Sequence, residues 1–382
     1  TLRAILPNGD MNKTTTLFDG TTVNAIDQAD ELKQTSQSCS VDTVIDKIID
    51  TKTKEPIPSL ITITQPSGLQ SVTQLTKTYG QNGADYNQQT LSINLNGKTS
   101  TVVSNATTGV TTTTTAESRI TKRNMGPATL LLQSIQTPGL LDITYTYDTR
   151  GRLETVTQGT RATTYAYNSI SKGDVTYITA DDGKQTQFEY DAVGRVRTII
   201  YPDTHRVEYT YDKNGNMSRL VVPTPANHDF TYTTVDKVKT STRPKDGVVT
   251  EVTQYDYDTE RNLKQITLPS TKVITNTYTN GLLDYVTTPE GVIDYGYTCN
   301  GKVGSITEGA ESITYDYDGS LLKDITYAGA LNQVINQTYD SDFKLDTLTY
   351  AGQLTDYGYD NDSLLTSITT DADTYTISRN TQ

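Results

Sequence analysis

Tryptophan is absent from this 382-residue chain and phenylalanine occurs only four times, so the bulky apolar rings that usually fill a globular core are nearly missing. Hydrophobic residues make up only 34% of the sequence, which excludes a large dry core of several thick layers. No apolar run approaches the ~20 residues of a membrane-spanning helix. Charged residues account for 20%, and the acidic excess leaves a net charge of -13. Binding to phosphate backbones needs a basic stripe, so nucleic acid is excluded as a partner class, and the acidity reads as a solubility device. Only two histidines are present, His205 and His228. Neither has a cysteine or second histidine at metal-ligand spacing, and no G-x-S-x-G elbow, phosphate-binding loop or dinucleotide fingerprint occurs. No catalytic residue, cofactor or metal is expected, and the chain does not read as an enzyme. The two cysteines, Cys39 and Cys299, permit one disulfide and are equally compatible with free thiols. No signal peptide is recognisable. The start at Thr1 without a Met and the end at Gln382 without a closing element read as an internal or processed piece of a longer protein.

What is present is tyrosine, 26 of them, in a chain rich in threonine. Both suit pleated, half-wet surfaces, where a branched or ring-bearing side chain packs on its neighbour while its hydroxyl meets water. The tyrosines recur in phrase: Y-T-Y-D-T-R-G-R-L-E-T-V-T at Tyr145 to Thr157, F-E-Y-D-A-V-G-R-V-R-T-I-I at Phe188 to Ile200, Y-T-Y-D-K-N-G-N-M-S-R-L-V at Tyr209 to Val221. The marker tyrosine falls at Tyr147, Tyr167, Tyr190, Tyr211, Tyr232, Tyr257, Tyr278, Tyr297, Tyr317, Tyr339 and Tyr359, in steps of 19 to 25 residues. Self-similarity at a near-constant period decides the architecture before any local feature does, and it turns attention from a pocket to an extended surface.

Each unit reads as a hairpin. Ile143, Tyr145 and Tyr147 alternate with Thr144, Thr146 and Asp148, the two-residue period of a strand. In the D-x-x-G that follows, Asp148 can accept backbone N–H groups and Gly151 supplies the left-handed geometry of a tight turn. The same roles fall to Asp191 and Gly194, Asp212 and Gly215, and to the turn aspartates Asp258, Asp318, Asp340 and Asp360, with Asn262 near the tight-turn slot of its unit. Leu153 and Val156 on the return strand are three apart, so either a β-bulge intervenes or both faces carry apolar contacts. Second turn signals, such as Pro202-Asp203, Pro289-Glu290-Gly291 and Ala351-Gly352, separate the units. Two strands and two turns per unit give a continuous antiparallel meander of roughly two dozen short strands over the eleven units. So long a meander does not stay flat, and with few hydrophobics the expected outcome is a single-layer wall spiralling around a wide interior.

Residues 1–117 read as degenerate β-rich repeats, punctuated by Asn8-Gly9, Asp19-Gly20, Ser67-Gly68, Asn82-Gly83 and Asn96-Gly97. One segment departs from this. Val41, Val44, Ile45, Ile48 and Ile49 follow helical spacing with Ser40 as a possible N-cap, which predicts a short amphipathic helix, with a strand as the alternative.

Three further features invite chemistry. Asp316 with Asp318, Asp340 with Asp342 and Asp360 with Asp362 offer hard oxygens near turns, as calcium requires. Yet no D-x-D-x-D-G loop with a distal Glu is present, and turn capping already accounts for these residues. The tyrosine array could stack on sugar rings, although wall packing is the simpler use for it. Five sequons begin at Asn12, Asn105, Asn216, Asn336 and Asn361, weak evidence for secretion in so threonine-rich a chain.

Y-D-x-x-G-R-L at Tyr147 to Leu153, Y-D-A-V-G-R-V at Tyr190 to Val196 and Y-D-K-N-G-N-M at Tyr211 to Met217 resemble the YD repeats of the RHS family. That family includes bacterial Rhs and wall-associated polymorphic toxins, the C-component of insecticidal Tc toxins, and teneurins. S-I-Q-T-P-G-L at Ser134 to Leu140, Y-D-G-S-L-L at Tyr317 to Leu322 and Y-D-N-D-S-L-L at Tyr359 to Leu365 are similar to its bacterial branch. The resemblance covers about residues 118–382, the YD-repeat region, and is thinner before it. It implies an all-β fold in which hairpins spiral into a hollow β-shell, partial or closed, and an extracellular or cell-surface setting. In the toxins such a shell encloses a C-terminal effector; here neither the family's plug nor its self-cleaving segment is recognisable. The implied function is structural, a wall enclosing cargo in the parent chain. Glycan adhesion, or pairing with further copies in a filament or sheath, are the alternatives.

Overall fold

The computed structural model describes residues 1–17, 21–82, 85–168, 173–223, 227–245 and 249–378. The expected Asp19-Gly20 turn lies outside these residues, as does Gly83 of the Asn82-Gly83 turn. The described chain forms 35 strands, from β1 (Leu2–Ile5) to β35 (Thr374–Thr376), in one sheet. Each pairs antiparallel with the strand before and after it in sequence, so the sheet is a single all-β meander that does not close on itself. No hydrophobic side chain among the described residues is fully buried. The ladder of backbone hydrogen bonds and one half-covered face therefore take the place of a core.

A single unit shows how sequence becomes wall. Strand β13 (Ile143–Tyr147) half-buries Ile143, Tyr145 and Tyr147 and exposes Thr144 and Thr146. Its partner β14 (Leu153–Gln158) pairs Val156 with Tyr145 and Leu153 with Tyr147, and the register slips between Thr146 and Tyr147. That bulge puts Leu153 and Val156 on the tyrosine face despite their odd spacing. The same slip occurs at the marker tyrosine of all eleven units. A bulge sharpens local twist, so repeating it at a constant period coils the ribbon.

The predicted helix is not formed. Val41–Ile49 is strand β5, paired with β4 (Lys33–Ser38) and β6 (Pro56–Thr64). Val41, Thr43, Val44, Ile45, Ile48 and Ile49 are β-branched, and such side chains lose rotamer freedom in a helix while packing well on a pleat. A register slip between Asp46 and Lys47 also interrupts the alternation, leaving an apolar spacing that imitates a helical one. Ser40 is no cap: it and Cys39 form the left-handed turn into β5, with φ 58° and 54°.

A meander has two rims. Turns that follow even-numbered strands lie on one, and turns that follow odd-numbered strands on the other. Four rim-to-rim meetings show that the ribbon coils back on itself. The turn between β4 and β5 meets the turn between β27 (Val292–Tyr297) and β28 (Val303–Glu308). The turn from β6 to β7 (Gln70–Asn82) meets that from β29 (Glu311–Asp318) to β30 (Leu321–Ala328). The turn from β8 (Asp85–Leu95) to β9 (Lys98–Asn105) meets that from β31 (Gln333–Tyr339) to β32 (Leu345–Tyr350). The turn from β10 (Val110–Thr114) to β11 (Ile120–Met125) meets that from β33 (Gln353–Tyr359) to β34 (Leu365–Thr370). In these four the partners are 23 strands apart, and Asn300 also reaches Thr21, in the turn before β3 (Thr22–Asp27). One turn of the spiral is therefore 23 strands, and the described chain makes about one and a half turns.

Candidate functional site

With no core, two sets of side chains hold the wall: a ladder within the ribbon and a seam between its coils. In the ladder ten of the eleven marker tyrosines, Tyr147 to Tyr339, reach to the adjacent strand of the preceding unit. Tyr147 Oη donates to the Leu132 carbonyl at 2.7 Å, Tyr190 to Val175 at 2.7 Å, Tyr211 to Val196 at 2.7 Å, Tyr257 to Val238 at 2.9 Å, Tyr317 to Val303 at 3.0 Å and Tyr339 to Leu322 at 2.7 Å. Tyr167, Tyr232, Tyr278 and Tyr297 do the same. The hydroxyl sits where the bulge disrupts regular pairing, so its donor supplies a partner to a carbonyl of the preceding unit. Burial of the phenol raises the pKa of Tyr190, Tyr211, Tyr257, Tyr339 and Tyr359, in keeping with rings lying against the sheet.

The aspartate that follows organises the turn. Asp148 accepts the N–H groups of Arg150 and Arg152 at 2.8 and 3.0 Å, and Asp191 those of Val193 and Arg195 at 3.0 Å each. Asp212, Asp258, Asp340 and Asp360 make the equivalent pair of bonds. Gly151, Gly194 and Gly215 take the left-handed slot at φ 77°, 88° and 95°. Where glycine is missing, Arg261, Phe343 and Ser363 adopt it, so the slot in the Asp258 unit is Arg261 and Asn262 instead bonds the Asp258 carboxylate. The arginine of Y-D-x-x-G-R has two uses. Arg152 Nε bonds Asp148 at 2.7 Å while its guanidinium lies 4.3 Å from the Tyr167 ring centre; Arg195 repeats this with Asp191 and Tyr211. Backbone N–H donors, first Arg152 and Arg195, with the guanidinium beside them, hold Asp148 and Asp191 below the usual carboxylate range.

Asp318 does something else. It ends β29 at a two-residue turn, and its carboxylate leaves the hairpin to accept the Ser67 amide at 2.8 Å and the Ser67 hydroxyl at 2.5 Å. This is the seam, and the other contacts follow its pattern. Asp342 accepts Asn96 Nδ2 and Lys98 Nζ, each at 2.6 Å. Asp362 accepts the Thr115 hydroxyl at 2.6 Å, the Glu117 amide at 2.9 Å and an Arg119 Nη1 donor, while Arg119 Nη2 bonds Asp360 at 2.8 Å. Gln65, 2% exposed, exchanges two bonds with Ser320, and Gly319 passes so close that an added Cβ would strike Gln65, Val41 and Pro66. Asn300 bonds Ser38 and Thr21, and beside it Cys39 and Cys299 form a disulfide, with Cα atoms 5.7 Å apart. The chain thus commits the cysteines, left open by the sequence, to the same seam.

The electrostatics fit. Burial works against charge on Asp342 and Asp362, yet the donors aimed at them prevail: Lys98 and Asn96 for the first, Thr115, the Glu117 amide and Arg119 for the second. Both pKa values stay below 3.8. The aspartate pairs that invited a calcium reading are therefore divided in labour. In Asp340/Asp342 and Asp360/Asp362 the first carboxylate caps its own turn and the second crosses the seam, where Asp360 also shares Arg119. Among the described residues no cluster of three or more metal-ligating side chains occurs. His205 is exposed and contacts Asp203, and His228 pairs with Leu220 in the sheet; neither joins a constellation. The amides of Asn216 and Asn361, both sequon residues, are engaged with Asp212 and Asp236, and with Glu117.

No curated protein matches the chain. Among solved structures, the TcdB2-TccC3-TEV crystal structure is similar over 98% of this chain at 11% identity, with a TM-score of 0.48. The Photorhabdus luminescens Tc holotoxin pore is similar over 94% at 12% identity and a TM-score of 0.46, and TcdB2-TccC3 without its hypervariable C-terminal region over 93% at 11% and 0.47. In each case the chain spans 27% of the length of the chain it matches. The Teneurin YD-shell family profile matches residues 11–355. That match spans most of a chain built as a ladder of Y-D hairpins, and the chain belongs to the Teneurin YD-shell family.

Proposed function

We propose that the chain is a non-enzymatic length of shell wall in a large secreted or cell-surface protein, and that in the parent chain the wall encloses a C-terminal polypeptide. The observation that carries this reading is the 23-strand offset shared by four successive turn-to-turn meetings, which turns a ribbon into a continuous coiled wall of about one and a half turns. At a strand spacing of ~4.8 Å, 23 strands make a circumference of about 110 Å, or about 35 Å across if the coil is round. That leaves room inside for a chain, while a packed domain of this size would have none. The ladder residues and the turn aspartates and glycines are then the functional residues, since each unit's geometry sets the curvature of the next. A disulfide fits an oxidising exterior.

The test is intact mass of the native protein under denaturing conditions. A separate polypeptide that co-purifies until denaturation, or a much longer parent carrying it, supports the reading. A native protein with nothing trapped removes the enclosing role and leaves a wall without cargo.

A further inference from the structure

The seam differs in kind from the ribbon it joins. Within the ribbon every strand but the two end ones, β1 and β35, is held by backbone ladders on both sides, and coil meets coil through turns. At three of the four meetings the contacts are polar side chains and turn amides: Gln65 and Ser67 with Asp318 and Ser320; Asn96 and Lys98 with Asp342; Thr115, Glu117 and Arg119 with Asp360, Asn361 and Asp362. The acceptors are shielded, with the Asp342 and Asp362 side chains 1% and 6% exposed, but each bond replaces one to water and burying the charge has a cost, so the net contribution is modest. The fourth meeting is covalent. Cys39 and Cys299 close a loop of 260 residues, so this one bond prevents the second coil from separating from the first. Its position allows chemistry to reach it: both cysteines are only half-buried, on rim turns, beside exposed Ser40 and Asn300.

We propose that the seam is a releasable closure whose latch is the Cys39–Cys299 disulfide, opened by a dithiol reductant. The inference rests on the shell reading and says how that shell is unlocked. A dithiol thiolate attacks one sulfur of the pair and the other leaves as a thiolate that takes up a proton. The reductant's second thiol, as thiolate, then attacks the reductant's own sulfur in the mixed disulfide and expels the remaining cysteine as a thiolate, which is protonated. The reductant departs oxidised, and Cys39 and Cys299 remain as two thiols having gained two electrons and two protons. Left alone, the polar contacts that set the coil register do not hold it, and the coils part while each keeps its strand ladder.

Five amides report on the seam directly, because each donates across it: Ser67 to Asp318, Glu117 to Asp362, Asn300 to Thr21, Ser320 to Gln65 and Asn361 to Glu117. Amide hydrogen exchange on the full chain is compared at neutral pH with and without dithiothreitol, and again in a Cys39→Ser, Cys299→Ser variant. The expected result is exchange at these five positions faster by roughly tenfold or more in both reduced and variant chains, with ladder amides between Leu153 and Thr267 unchanged. Unaltered exchange at the five amides overturns the proposal. So does simultaneous loss of protection through the ladder, which makes the bond a staple of the whole fold. Because the readout needs no enclosed polypeptide, it stands or falls separately from the search for cargo.

Discussion

Lys98 Nζ lies 2.6 Å from the carboxylate of Asp342, 244 residues further along the chain and one full turn of the spiral away. The Asp342 side chain is only 1% exposed, so this charge depends on its partner. Lys98→Met therefore removes more than a contact: it leaves a buried charge without its cation, held only by the neutral Asn96 amide. The expected loss is about 1–3 kcal/mol, seen as a lower midpoint in denaturant unfolding. Adding Asp342→Asn to Lys98→Met is expected to recover part of it, because the stranded charge is gone. A single variant as stable as the parent contradicts the pairing.

Acid is expected to loosen the seam before it reaches the ladder hydroxyls. Asp342, Asp360 and Asp362 each have a folded-state pKa below the ordinary 3.8. Their contribution is fully present above that value and is lost as pH falls through the lower folded values. Facing them are the cations Lys98 and Arg119, which stay charged throughout, so nothing titrates to compensate. Seam protection should be flat from about pH 5 to 8 and fall below about pH 4. Loss of protection already at pH 6 contradicts this assignment.

Tyr190 separates ring from hydroxyl. Tyr190→Phe keeps the ring and leaves the Val175 carbonyl without its donor, at a cost of about 1 kcal/mol. Tyr190→Ala also removes the packing, for a total of a few kcal/mol. The thermal midpoints should therefore fall in the order parent, Phe, Ala. An unchanged midpoint for Tyr190→Ala shows the residue to be outside the ladder.

Two glycines divide strain from collision. At Gly215, with φ 95°, an added Cβ meets only the far end of Arg195, so Gly215→Ala reports the left-handed backbone alone, about 1 kcal/mol. At Gly319, with φ 56°, it also collides with the opposite coil. Gly319→Ala should therefore raise exchange at the seam amides of Ser67 and Ser320, whereas Gly215→Ala should leave them untouched.

The repeat, the strand–turn–strand unit and the roles of Tyr147, Asp148 and Gly151 were legible in sequence because they are local. A period of two, a carboxylate two residues before an amide it caps and a glycine in a left-handed slot are all set within a few residues. The bulge at Tyr147 was half legible: the odd spacing of Leu153 and Val156 demanded either a bulge or a second apolar face. The Val41–Ile49 helix was misread because a bulge between Asp46 and Lys47 broke the alternation and left a spacing that mimics 3.6 residues per turn.

The seam was visible but not interpretable. Asp342 and Asp362 stand two residues after a turn aspartate, and Asn300 takes the corresponding place in its own unit. The units away from the seam carry Arg150, Val193, Asn214 and Glu260 there. What the sequence by itself determined was a hairpin repeat that must curve, since each unit carries its own twist. Only the tertiary structure decided how many strands close one turn, and with it which residues meet. That number is a small angle accumulated over 23 strands, so partners such as Lys98 and Asp342 or Cys39 and Cys299 are chosen by the whole coil and by nothing near them in sequence.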